Sequence, residues 1–241
     1  MSSTTHTMRA QIELRKRILN GDIEGGTHLF EVPLAEMLRI SRTPVREALS
    51  RLAEEGLLDR KRAGGYAVRR FGLDDVIDWI EIRAVLEGTA ARLAAERGVD
   101  EAKLRAVRAI LTELDGCFGE RLVDVDIEGY LELNMDFHKA LSQLPGSAVL
   151  EREIDRAYKL PFASPSGLIP DKARVEAFRK LLVLGQEQHH GIVDAIVGRE
   201  GSRAEAMIRE HARTSRRSLE HIFERDERSV ARMPGIGLIV D

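Results

Sequence analysis

Residues 41–49 read Ser41-Arg42-Thr43-Pro44-Val45-Arg46-Glu47-Ala48-Leu49, and they decide how the first part of the chain folds. Thr43 is suited to an N-cap, and Pro44 to the first helical position, where its fixed φ fits and its missing N–H costs nothing. Val45, Leu49 and Leu52 then form an apolar stripe at helical spacing, with Ala48 beside it. Arg42, Arg46 and Ser50 fall off that stripe and face outward. A helix start bearing two outward arginines suits phosphates, and an arginine also pairs with guanine edges in the major groove. The same pattern suits a solvated, salt-bridged surface helix, and the spacing alone does not choose between the two.

The neighbouring residues do choose. Upstream, residues 33–38 (PLAEML) make a short helix with Leu34 and Leu38 four apart, and Arg39-Ile40-Ser41 is a tight turn into the second helix. That is a helix-turn-helix pattern, whose second helix enters a groove. Downstream, Gly56 ends the helix. Residues 57–61, a Gly64-Gly65 turn and residues 66–70 read as a hairpin with a basic strand on each side. A helix-turn-helix followed by a hairpin is a winged helix.

Three stretches make this specific: ILNGDIEGG (18–26), LAEMLRISRTPVREALSRLAEEGLL (34–58) and the Gly65-Tyr66-Ala67-Val68 wing. With them, residues from about 8 to 70 resemble the N-terminal domain of the GntR family of bacterial transcription regulators. The resemblance implies that Ser41, Arg42, Thr43 and Arg46 contact a double-stranded DNA operator and that the wing tip, Gly64 and Gly65, reaches the minor groove. Two departures stand out. Val32-Pro33 occupies the place where some relatives carry an arginine, and Gly64 the place where many carry a basic residue, with Arg62 as the nearest stand-in.

At 241 residues the chain is long enough for two modest domains with cores of their own. Its net charge of −3 hides an asymmetry: residues 1–70 hold 13 Lys and Arg against 9 Asp and Glu, and the rest 24 against 31. A basic head on an acidic body suits nucleic acid at one end only. The single cysteine, Cys117, excludes an internal disulfide and fits a reducing compartment. No apolar run approaches about 18 residues and no secretory leader is evident, so a cytoplasmic, nucleoid-associated protein without membrane contact is expected.

Residues 1–5 are expected to be frayed, and a first helix is marked by Met8, Ile12, Arg15 and Leu19, with Gly21 as its stop. The winged helix-turn-helix domain is placed at 1–70, a Phe71-Gly72-Leu73 linker at 71–73, an all-helical domain at 74–232 and a tail at 233–241. Helices are predicted at 74–96, 100–118, 126–144, 147–160, 174–197 and 202–225, with Pro161 to Pro170 as the one strong breaker. The expected fold class is therefore mainly α: a winged helix-turn-helix with a small β-hairpin wing, then an all-α bundle.

The second domain carries Ile82-Arg83 with Glu87, a small-residue run to Ala95, Phe137-His138-Lys139-Ala140-Leu141, and His189 followed by Ile192-Val193-Asp194-Ala195-Ile196, then His211. On these it resembles the FCD ligand-binding domain of FadR-type GntR regulators. Asn134 and His138, four apart, share a helix face, and His189 and His211 lie on two later helices. Three converging imidazoles suit a borderline cation such as zinc or nickel, though a lone buried histidine is more often a hydrogen-bonded core residue. The resemblance implies a divalent metal on Asn134, His138, His189 and His211. Asn134 departs from the family's usual aspartate, and its neutral amide oxygen makes a weaker ligand. The resemblance also implies a small organic acid as effector, with Arg83 as an anion contact; an ion pair with Glu87, four residues on, is the competing role.

Together these features predict a ligand-responsive transcriptional regulator, a repressor in its usual form, that binds an inverted repeat as a homodimer and is released by a small organic acid. Two other functions use the same residues. A metal-dependent hydrolase could activate water at a three-histidine site, and a constitutive DNA-binding dimer would need no effector.

Overall fold

In the computed structural model, described over residues 3–121, 124–159, 175–225 and 238–240, the chain divides into two units, Met1–Val76 with Ala231–Asp241 and Ile77–Val230. The first unit begins with α1 (Ser3–Leu19), a strand β1 (His28–Leu29), α2 (Glu31–Leu38) and α3 (Arg42–Glu54). Strands β2 (Leu58–Arg60) and β3 (Tyr66–Val68) follow, then β4 (Phe71–Gly72).

The stripe predicted on α3 is the one that folds inward. Val45, Ala48, Leu49 and Leu52 are fully buried, and α3 packs on α1. The start of α3 differs from expectation. Ser41, not Thr43, is the N-cap, in extended conformation with φ −71° and ψ 164°. Pro44 is therefore the third helical residue rather than the first. It is tolerated there because the first four N–H groups of a helix have no intrahelical acceptor. Gly56 takes φ +79° just past the helix, a left-handed turn that glycine enters freely.

The face of α1 also needs correction. Thr7, Ala10, Leu14 and Ile18 are buried, whereas the predicted Met8 and Ile12 are 55% and 57% exposed. Two stripes at helical spacing coexist on this helix, and the one with smaller side chains permits the closer approach to α3. The predicted hairpin exists with shorter strands, and it gains a third. β1 pairs antiparallel with β3, so the sheet order is β1-β3-β2, with Leu58↔Val68 and Leu29↔Tyr66 in register.

Residues 71–73 do not stand open as a linker. Phe71 is fully buried, and β4 pairs in parallel with β5 (Ile239–Val240), in the register Phe71↔Ile239. Leu238 beside it is buried as well. The tail at 233–241 is thus structural over its described part.

The second unit is built of α4 (Leu73–Arg97), which begins in the first unit, α5 (Glu101–Asp115), α6 (Ile127–Gln143), α7 (Ala148–Tyr158), α8 (Val175–Val197) and α9 (Gly201–Arg225). Asp100 caps α5 by accepting from the Ala102 and Lys103 N–H groups, and Asp126 caps α6 through Gly129 N. Its core includes Leu104, Val107, Leu111, Phe137, Leu141, Ile192, Ile196 and Ile208, drawn from α5, α6, α8 and α9. The predicted breaker at Pro161–Pro170 lies outside the described residues. Among the described residues no helix is long and apolar enough to cross a membrane.

Candidate metal centre and nucleic-acid interface

In the first unit, the predicted contact residues lie on one edge of α3. Ser41, Arg42, Thr43 and Arg46 are all exposed, and the side chains of Arg42 and Arg46 are 61% and 60% accessible. Both arginines rest on Glu31, the first residue of α2. Arg46 Nε and Nη2 donate to Glu31 Oε1 at 2.8 Å and Oε2 at 3.0 Å, and Arg42 Nη2 donates to Oε2 at 3.3 Å. The hydrogen bond from Arg46, ahead of the opposing pull of burial, holds the Glu31 carboxyl below its ordinary range.

At the wing, Arg62 and Gly64 are exposed. Gly64 has φ +95° and Gly65 φ +76°, and a Cβ on Gly65 would stand 3.0 Å from the Leu29 carbonyl. Behind the tip, Arg60 stacks on the Tyr66 ring, 5.6 Å from its centroid, and donates to the Tyr66 hydroxyl at 3.2 Å.

In the second unit, α6, α8 and α9 bring His138, His189 and His211 together. All three are buried, and their candidate ligand nitrogens lie within 4.8 Å of one another. Asn134, one turn before His138 on the same face of α6, is buried at 6% exposure. His190 points elsewhere: it is exposed, with Nε2 2.9 Å from Asp115 Oδ1.

The hydrogen bonds around the rings orient their Nδ1 atoms. Burial alone would raise the Glu87 carboxyl, but His138, Arg83 and hydrogen bonds from His138 and Tyr158 outweigh it and hold it at about 2. Ionised Glu87 is an acceptor only, so His138, whose Nδ1 is 3.1 Å from Glu87 Oε1, carries its proton on Nδ1. Gln186 donates its amide to Leu111 O at 3.2 Å and Asp115 Oδ1 at 2.8 Å, which leaves its oxygen facing His189 Nδ1 at 3.0 Å. His211 Nδ1 likewise faces the Gln188 oxygen at 3.0 Å. A neutral ring with its proton on Nδ1 presents a lone pair at Nε2, toward the other two rings.

That arrangement fits a cation. His138 Nε2 is buried and meets no hydrogen-bond partner among the described residues. The Nε2 atoms of His189 and His211 face each other at 3.1 Å. Two nitrogens bound to one tetrahedral zinc at about 2.0–2.1 Å stand about 3.3 Å apart. Burial, reinforced by His211, His138 and His190, holds His189 well below the imidazole range. Burial, with His138 and Arg83 adding to it against a smaller pull from Glu87, brings His211 down to about 3. Neutral imidazoles with locked Nδ1 protons are the form that binds metal.

Arg83 is 1% exposed, with Nε 3.7 Å from Glu87 Oε2. The ion pair weighed from the sequence therefore exists, and it lies beside the histidine cluster because Glu87 is shared with His138. Tyr158 on α7 also donates to Glu87 Oε1. Sequence reasoning missed Tyr158, Gln186, Gln188 and Glu31. The spacing of Gln186, three residues before His189 on one helix, was the one available signal.

Residues 78–214 match the FCD domain family, and residues 7–68 match the family described as bacterial regulatory proteins, gntR family. The Nta operon transcriptional regulator of Aminobacter aminovorans is 38% identical over 113 residues, 47% of this chain and 51% of that protein. YdhC of Bacillus subtilis (strain 168), an uncharacterised HTH-type regulator, is 30% identical and is covered over 60% of its length. The chain thus spans between half and two thirds of these two relatives. LutR of Bacillus subtilis (strain 168), an HTH-type transcriptional regulator, is 28% identical over 86% of this chain and 98% of its own length. The solved structure of E. coli McbR/YncC covers 90% of this chain and 98% of its own at a TM-score of 0.66 and 23% identity, a likeness of fold.

Proposed function

This chain belongs to the FCD domain family, with a gntR-family head at residues 7–68, and on that premise we propose that it is a ligand-responsive transcriptional regulator. Its head binds duplex DNA through the exposed edge of α3, with Ser41, Arg42, Thr43 and Arg46 at the groove and Arg62, Gly64 and Gly65 at the wing. The working form is a homodimer on an inverted repeat, because one recognition helix covers only a few base pairs. Repression is the expected sense, since relatives such as GlaR of E. coli (strain K12) are named repressors.

The single observation that carries the effector reading is the convergence of three buried imidazoles, each with its Nδ1 facing a side-chain oxygen outside the cluster. His138, His189 and His211, with Asn134 as a neutral oxygen donor, would hold one divalent cation such as zinc or nickel. When bound, the ion supplies Lewis acidity toward a carboxylate. Arg83 supplies a second, buried positive charge for a small organic acid. A hydrolytic function fits poorly. Glu87, the carboxylate at the cluster, is held at about 2 and already accepts from His138 and Tyr158, whereas a general base works best near the operating pH.

Elemental analysis of the purified protein at neutral pH tests this reading. We expect about one divalent ion per chain, lost in His138→Ala and His189→Ala and bound more tightly in Asn134→Asp. Unchanged metal content in both histidine variants would make these core histidines and leave a constitutive DNA-binding dimer as the better account.

A further inference from the structure

Glu31 is the feature of the head that its winged-helix pattern does not require. It opens α2, where the helix dipole favours an anion, and it reaches across the turn at residues 39–41 to two arginines of α3. Its side chain is 22% accessible, against 61% and 60% for Arg42 and Arg46. The contact is side-on. The carboxylate takes Nε and one Nη2 hydrogen of Arg46. That leaves one Nη1 hydrogen and the second Nη2 hydrogen paired on the end-on edge of the guanidinium. The end-on edge is what pairs in bidentate fashion with guanine O6 and N7.

We propose that Glu31 is a positioning and specificity residue: it aims the free edge of Arg46 at a guanine and repels phosphates that would otherwise hold the two arginines non-specifically. This rests on the reading of α3 as the DNA-contacting helix. Two physical consequences follow. A flexible side chain that is already braced loses less rotamer freedom when it meets a base. The trio Arg42, Arg46 and Glu31 carries a net single positive charge rather than two, so fewer counterions are released on any DNA.

The test uses the full chain and duplexes obtained by selection on the wild type from a randomised 30-base-pair library, with a scrambled duplex as the sequence-independent probe. Glu31→Gln keeps the reach and removes the charge. It should bind the scrambled duplex more tightly, steepen the salt dependence by up to ~1 unit of log–log slope per head, and lower the selected-to-scrambled ratio about tenfold. Glu31→Asp keeps the charge and shortens the reach. It should leave the salt slope unchanged and still lose preference at one guanine per half-site. Arg46→Ala is the reference. If it fails to weaken binding to the selected duplex, the underlying reading of α3 is wrong, and this proposal falls with it. If Arg46→Ala weakens binding but both Glu31 variants keep the wild-type ratio and base preference, only the role of Glu31 is overturned. Equal tightening on both duplexes in Glu31→Gln overturns it too, because the carboxylate would then be a mere competitor for DNA.

Discussion

The two units each contain an arginine–glutamate pair, and the pairs are built in opposite ways. In the head, Arg46 meets Glu31 in water, with the arginine side chain 60% accessible. In the body, Arg83 meets Glu87 with side chains 2% and 1% accessible. An exposed ion pair is screened and adds little to stability, so the head can exchange Glu31 for another partner without unfolding. A buried pair has already lost its hydration, and removing one member strands the other charge. The head thus keeps its charges available, whereas the body locks its charges in place around the histidines. The same two residue types serve recognition in one unit and pre-organisation in the other.

Removing the buried carboxylate is the severest test of this contrast. Glu87→Ala should destabilise the body by about 3–5 kcal/mol, read as a lower urea midpoint, because it removes the carboxylate paired with buried Arg83 and the acceptor of His138 Nδ1 and the Tyr158 hydroxyl. A loss no larger than that of Glu31→Ala would erase the distinction between the two pairs.

Acid should act on the body before the head. His211 has a folded value of about 3 against an ordinary 6.5, so the unfolded chain takes up the proton first. Its contribution is fully present above pH 6.5 and is lost as pH falls toward 3. In protein stripped of metal, urea stability should therefore decline between pH 6.5 and 4. Each tenfold difference in proton affinity between the folded and unfolded chain is worth about 1.4 kcal/mol, so the decline can reach a few kcal/mol. His211→Gln should reduce it, leaving the part due to His189, and an unchanged slope would show that the His211 ring titrates normally.

A smaller effect is expected in the head. Arg46→Ala should weaken binding to a selected duplex roughly 10- to 100-fold while leaving the thermal midpoint in place, since Arg46 is off the buried stripe of Val45, Ala48, Leu49 and Leu52. A fall in midpoint would mean that the exposed pair carries structure after all.

At one kind of position the two units should agree. Arg39 in the head and Arg199 in the body both take left-handed backbone, with φ +53° and +63°, a conformation that costs an L-residue roughly 1–2 kcal/mol. After the entropy cost of glycine, Arg39→Gly and Arg199→Gly should each stabilise by about 0.5–1 kcal/mol. Thermal denaturation of the two variants decides it, and a gain in only one would reveal that the other arginine's side chain compensates for its backbone.

The stripe on α3 and the shared face of Asn134 and His138 were legible because each depends on spacing along a helix, whereas His189 and His211 were named through the resemblance to the FCD domain. Val45, Leu49 and Leu52 repeat with the helical period, and Asn134 and His138 share a face for the same reason. Features that depend on distant partners were not. Strands β1 and β5 are two residues each, too short for alternation to register, and they exist only through pairing with β3 and β4. On α1 the period was visible but ambiguous, since Met8 and Ile12 compete with Thr7, Ala10, Leu14 and Ile18. Gln186 and Gln188 escaped notice because their role lies in which amide atom points at a ring. For Gln186 that is set by Leu111 O and Asp115.

The parallel pairing of β4 with β5 bears on how the chain is made. Phe71 waits for a partner about 170 residues downstream, beyond the whole helical body. At ribosomal rates of about 5–20 residues per second, that partner emerges on the order of 10–30 s after Phe71 itself. During translation the head therefore stands with one strand edge uncapped and a large aromatic ring without its final cover. Full closure of the first unit therefore waits for residues 239–240, which are synthesised after the helices of the body.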